Sequence, residues 1–168
     1  NALISVAKET GQTAATIVYE NILKMWARAH SRSRMSPSMV WAINQDIEPQ
    51  LHSMTAPVGT GGVPVYLPPG GLSASPYGTL MGKPVVPTEF NATLGTVGDI
   101  MLIDFGQYLL IDKSGVQSAS SMHVQFLTDQ MVYRFTYRVD GQPLWNAALT
   151  PYKGSNTQSP FIALATRS

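Results

Sequence analysis

From residue 13 to residue 29, apolar side chains recur at steps of three and four: Ala15, Val18, Ile22, Met25, Trp26 and Ala29. That spacing predicts an amphipathic helix over 13–29, with Thr13 as N-cap behind Gly11. Thr16, Glu20, Lys24 and Arg28 fall on the opposite face, with Glu20 and Lys24 in the favoured acid-before-base order. A mixed polar face suits a helix lying on a sheet; a membrane-surface helix needs a basic one. Elsewhere the pattern is that of strands. Residues 2–6 and 39–43 are short apolar runs, the second reached through a loop over 31–38. Asp46 is expected to cap a short helix, with Pro49 in its first turn and Glu48 at the positive end of its dipole. Residues 84–90 read as a strand, and 99–112 as a longer one broken at Gly106 by a bulge or bend. Lys113-Ser114-Gly115 predicts a turn. Residues 122–127 and 131–139 predict an antiparallel pair around Thr128-Asp129-Gln130, followed by a tight turn at Asp140-Gly141 and a closing strand over 160–165. In 131–139, Arg134 and Arg138 alternate with Tyr133, Phe135, Tyr137 and Val139. The aromatic face is expected to be buried and the other to present both arginines.

Between residues 55 and 82 the composition shifts to Gly, Pro and Ser, with Gly59-Thr60-Gly61-Gly62 and Pro68-Pro69-Gly70-Gly71. A loop of this length in a compact domain is uncommon and usually functional. Tyr66, Leu67, Leu72 and Tyr77 argue against a solvated tether. The 168 residues suffice for one substantial core. Without cysteine, disulfides and thiolate metal sites are excluded. Net charge is +1 and only 12% of residues are charged, against about a quarter in ordinary soluble domains. With 44% hydrophobic content, this points to a surface covered by partners. So little charge gives weak counterion release, which argues against strong nucleic-acid binding. No apolar run reaches membrane-spanning length. The chain opens on a strand at Asn1, so no signal peptide is expected and upstream residues are expected to have been removed.

Candidate chemistry is sparse. Gly82-Lys83-Pro84 places a proline where a phosphate-binding loop needs a helix N-terminus, and no Gly-x-Ser-x-Gly elbow occurs. His30, His52 and His123 stand in dissimilar contexts, and no pair of side chains has metal-ligand spacing. Asp99, Asp104 and Asp112 are the nearest approach to paired carboxylates, with strand-end solubility as their plainer reading. Arg28, Arg32 and Arg34 with His30 form the one basic cluster; cations at a helix C-terminus explain it without a ligand. Arg134 and Arg138 admit either an exposed face or ion pairing across a subunit contact.

The order of motifs carries a resemblance. Gly82-Lys83-Pro84-Val85-Val86-Pro87-Thr88, Gly95-Thr96-Val97-Gly98-Asp99-Ile100, Phe105-Gly106-Gln107-Tyr108 and 131–143 follow one another, with Trp41-Ala42-Ile43-Asn44-Gln45-Asp46 upstream. The succession resembles the carboxy-terminal part of tailed-bacteriophage major capsid proteins and the similar encapsulin shells. The resemblance implies an α+β chain with the phage major capsid fold of the Hong Kong 97 type, in part. Residues 1–112 would form an axial-domain-like α/β module with the Gly/Pro loop 55–82, and 113–168 peripheral-domain-like strands. The family's amino-terminal arm, hairpin loop and spine helix would lie upstream and be absent.

The function so implied is that of a shell subunit, or a fragment of one, forming pentamers and hexamers around a genome in a virion assembled in the host cytoplasm. Its partners would be other copies and scaffolding or portal proteins, with no sequence-specific nucleic acid, membrane, metal or cofactor and no catalysis. The expected interface residues are Tyr66, Leu67, Leu72, Tyr77, Arg134 and Arg138. In the isolated chain the loop is expected to be mobile, so that deleting residues 59–78 leaves the melting temperature almost unchanged. Two alternatives remain open: an encapsulin-like compartment shell, and a β-rich domain holding carbohydrate or peptide through Tyr66, Tyr77, Trp145 and Tyr152.

Overall fold

Ile4, Ile162, Leu102, Trp41 and Val85 are successive partners in one row across five strands, and all five are buried. The row exists because each strand carries an apolar residue at the matching pleat position, making one face of the sheet continuous. The structure is a computed structural model and describes residues 2–56, 62–66 and 78–168. The elements before the Gly/Pro loop are β1 (Ile4–Val6), α1 (Tyr19–Arg28), α2 (Ser31–Met35), β2 (Met39–Asn44) and α3 (Glu48–Ser53). Then come β3 (Thr55–Ala56), β4 (Val63–Pro64), β5 (Thr79–Leu80), β6 (Lys83–Thr88) and β7 (Ile100–Asp104). The last three are β8 (Tyr108–Ser121), β9 (Val132–Pro143) and β10 (Phe161–Leu164). The architecture is α+β with a sheet-rich core, as the resemblance implies.

Two compact units result: Asn1–Gln107 with Trp145–Ser168, and Tyr108–Leu144. The division expected after residue 112 thus falls inside β8, and the carboxy-terminal stretch does not follow the second unit. β10 returns to the first, between β1 and β7, because its four apolar residues need a sheet buried around them. The first unit is a mixed six-stranded sheet in the order β1-β10-β7-β2-β6-β5, parallel at β1–β10 and β2–β6. Ile22 and Met25 of α1 and Leu51 of α3 join the core on the apolar row. Met81 and Gly82, both with positive φ, make the two-residue turn between β5 and β6.

Helix α1 begins at Tyr19, six residues after the expected Thr13. Residues before it take other partners. Ala15 has φ 53° and donates to the Arg167 carbonyl, Ile17 donates to Gln50 Oε1, and Gln50 Nε2 donates to the Ala15 carbonyl. Side-chain and distant backbone groups satisfy this strap where helical bonds would have been, and Asn21 Oδ1 accepts the Val18 N–H to open the helix. Lys24 pairs with Glu9 at 2.6 Å, not with Glu20. The loop expected over 31–38 contains α2. The cap ahead of α3 is Asn44 rather than Asp46: its Oδ1 accepts the Asp46 N–H at 3.0 Å, and its amide donates to the carbonyls of Asn91 and Ala92.

The second unit is a long antiparallel ribbon, and three expectations fail in it together. β9 pairs with β8 from Tyr108–Pro143 register to Ser121–Val132, leaving residues 122–131 as the tip, with a 3-10 turn over His123–Thr128. Lys113-Ser114-Gly115 is a bulge within β8, and Asp140-Gly141 lies mid-strand. Gly141 is required there by close approach: a Cβ would lie 2.6 Å from the Tyr108 ring.

Candidate interaction surfaces

The faces of the ribbon differ in chemistry. Register sets Arg138 opposite Lys113, Thr136 opposite Gln117 and Arg134 opposite Ala119, so three cations share one face. With Ser114, Gln117 and Thr136 they line a depression of about 220 Å³. Ion pairs among the described residues are Lys24–Glu9, His52–Glu48 and Arg167–Asp99, none of them here. The other face carries Tyr133, Phe135, Tyr137 and Val139. Expected to be buried, all four are exposed, Phe135 at 71%. Alternation separates the faces correctly, but burial takes a further layer, and this unit contains one pair of strands. The tip adds Phe126 and Leu127, the latter 98% exposed.

Tyr66, expected at a contact between copies, belongs to the core of its own chain. It is 2% exposed, its hydroxyl accepts the Gly78 N–H at 2.9 Å, and its ring meets His52 edge-on at 4.9 Å. Pairing of β3 with β4 turns the chain back, and the Val65 N–H donates to the Met54 carbonyl, which seats Tyr66. Leu67, Leu72 and Tyr77 lie outside the described residues.

The remaining candidates are held apart. Asp99 and Asp104 are each buried among their own donors, and Asp112 is exposed on the ribbon. Asp99 accepts the Gly95 and Ile100 N–H groups at 2.9 and 2.8 Å and pairs with Arg167, itself buried. This pair, between residues 68 apart in sequence, is invisible to local patterning. Asp104 Oδ1 accepts from Ser36 Oγ at 3.0 Å and the Gly106 N–H at 3.1 Å. Ser36, Asp104 and His30 line a depression of about 300 Å³ with Arg32, Gln107 and Trp145. The order of contact is not that of a triad, in which histidine bridges the other two. Ser36 donates directly to the carboxylate, and the His30 ring lies edge-on to Trp145 at 5.0 Å. Of the basic cluster, Arg28 donates to Thr157, and Arg34 donates to the Ala29 and Ala27 carbonyls at the end of α1. Trp145 donates to Gln107, and Tyr152 stands 99% exposed, so the proposed aromatic ligand set is not assembled among the described residues.

Over residues 2–154 the chain matches the Phage capsid family. No curated protein matches it. Among solved structures it is similar to the capsid of an empty GTA particle computed with C5 symmetry, with a TM-score of 0.65 and 15% identity. The match covers 98% of this chain and 50% of that one, so the chain spans about half the length of its structural relative. At that identity the likeness is one of fold. Fold and family match agree, and they agree with the order of motifs from Trp41 to Pro143: the chain belongs to the phage capsid family.

Proposed function

We propose that this chain is the carboxy-terminal part of a shell subunit, of the Hong Kong 97 type, which assembles into pentamers and hexamers around a genome and performs no catalysis. The first unit corresponds to the axial domain and the ribbon to the peripheral domain, with arm, hairpin and spine helix upstream. The observation that carries this reading is the ribbon's exposed aromatic face. A two-stranded ribbon is marginal by itself, and Tyr133, Phe135 and Tyr137 exposed in a row make an apolar stripe of the kind that marks an interface. Other copies, with scaffolding or portal proteins during assembly in the host cytoplasm, are the partners such a subunit meets. Arg134 and Arg138, and Leu67, Leu72 and Tyr77 of the Gly/Pro loop, are its proposed contact residues.

Sedimentation velocity tests this. The complete protein is expected to form capsomers or shells, and the 168-residue chain alone a monomer or weak small oligomer at micromolar concentration. A complete protein that stays monomeric under all assembly conditions contradicts the reading. Discrete shells from this chain alone contradict the need for the upstream parts.

A further inference from the structure

The depression on the cationic face of the ribbon is lined by three cations and three neutral side chains able to donate hydrogen bonds. Lys113, Arg134 and Arg138 carry fixed charge; Ser114, Gln117 and Thr136 each offer a hydroxyl or amide donor, and no carboxylate takes part. The backbone is shaped around it. Four steps from Lys113 to Gln117 face two from Arg138 to Thr136, and Ser114 and Gly115 take φ of 68° and 60°. This bulge pushes β8 out of register beside the cations.

Like charges directly across a ladder destabilise it, yet Lys113 faces Arg138. The acids of the ribbon do not line the depression. Asp112 is on the other face opposite Val139 and Asp129 is at the tip, while Asp140, two residues beyond Arg138 on the same face, accepts its own Gly141 N–H at 2.8 Å. An arrangement that concentrates uncompensated donors in a concavity is complementary to an external oxyanion.

We infer that this depression binds carboxylates, and that the ligand is an acidic segment of a second copy of the protein; the identity of the donor as a second copy rests on the shell reading above. Arg134 and Arg138 lie four residues apart, about 13 Å along an extended strand. That distance fits two acidic side chains better than one small ion, and each guanidinium fork matches a carboxylate. A polynucleotide fits less well. The three cations of the ribbon are matched in number by Asp112, Asp129 and Asp140, so no long-range positive field draws a polyanion, and the ring side chains that could stack bases lie on the opposite face.

Two measurements decide it. In a backbone-amide NMR titration at low salt, a capped tri-aspartate peptide is expected to shift residues 113–117 and 134–138. Its affinity should fall roughly tenfold or more in Arg134→Gln with Arg138→Gln, and a capped tri-lysine peptide should shift nothing there. Absent shifts, unchanged affinity in the double variant, or shifts from inorganic phosphate with none from tri-aspartate would overturn the carboxylate site. In the complete protein, Arg134→Glu with Arg138→Glu should block assembly while the unaltered protein assembles; a double variant that assembles normally overturns the second-copy ligand. If the unaltered protein forms no shells, the shell reading fails, and the peptide titration still decides whether the site exists.

Discussion

Asp99→Ala is expected to lower the stability of the chain by about 3–5 kcal/mol, because it strands the Arg167 guanidinium inside the protein. Asp99 and Arg167 are both fully buried side chains, and Arg167 Nε already has no hydrogen-bond partner among the described residues. Asp99 also holds the Gly95 and Ile100 N–H groups, which close the Gly95-to-Gly98 loop onto the start of β7. The loss is a large share of the 5–15 kcal/mol typical of a domain. At this chain length it corresponds to a melting temperature lower by about 6–20 °C. Replacing both residues, Asp99→Leu with Arg167→Met, should recover part of the loss, since an apolar pair leaves no charge uncompensated. Thermal and urea denaturation of the three variants measure this. A single variant within about 1 kcal/mol of the parent chain would show that the pair contributes little.

Tyr66→Ala is expected to cost about 3–5 kcal/mol, the range for removing a buried large aromatic side chain. Gly78→Ala should cost about 1–3 kcal/mol by overpacking, since the new Cβ would lie 2.6 Å from Tyr66 Cε2. It follows that deleting residues 59–78 destabilises the chain strongly, the reverse of what Gly/Pro composition predicts. The deletion removes Tyr66 together with its hydrogen-bond partner Gly78. Calorimetry on the deletion and the two point variants distinguishes the cases. A deletion that melts with the parent chain would return Tyr66 to the surface.

What the sequence revealed and what it hid divide along contact distance. The apolar runs at 39–43, 84–90 and 160–165 hold the strands β2, β6 and β10, and the periodicity over 13–29 holds α1. The start of α1 was not legible, because Ala15 is held by Arg167 and Gln50, residues that no local window contains. Gly141 looked like a turn because Asp-Gly favours one; the Tyr108 ring that demands a glycine comes from the partner strand. In the ribbon, alternation sorted the arginines from the aromatics correctly. Whether the aromatic face is covered depends on a further layer, which the two strands of this unit do not contain. The family was legible only as a succession of motifs, of which the one at 95–100 is explained by packing: a Cβ on Gly95 would lie 3.2 Å from Ala15, and Asp99 holds Arg167.

Negative-stain microscopy of the complete protein, beside its variant Tyr133→Ser with Phe135→Ser, tests the shell function most directly. The unaltered protein is expected to form closed particles, and the variant folded but unassembled subunits with the same far-ultraviolet circular dichroism. Closed particles from both proteins, or none from the unaltered one, would contradict a shell held together through the aromatic face of the ribbon.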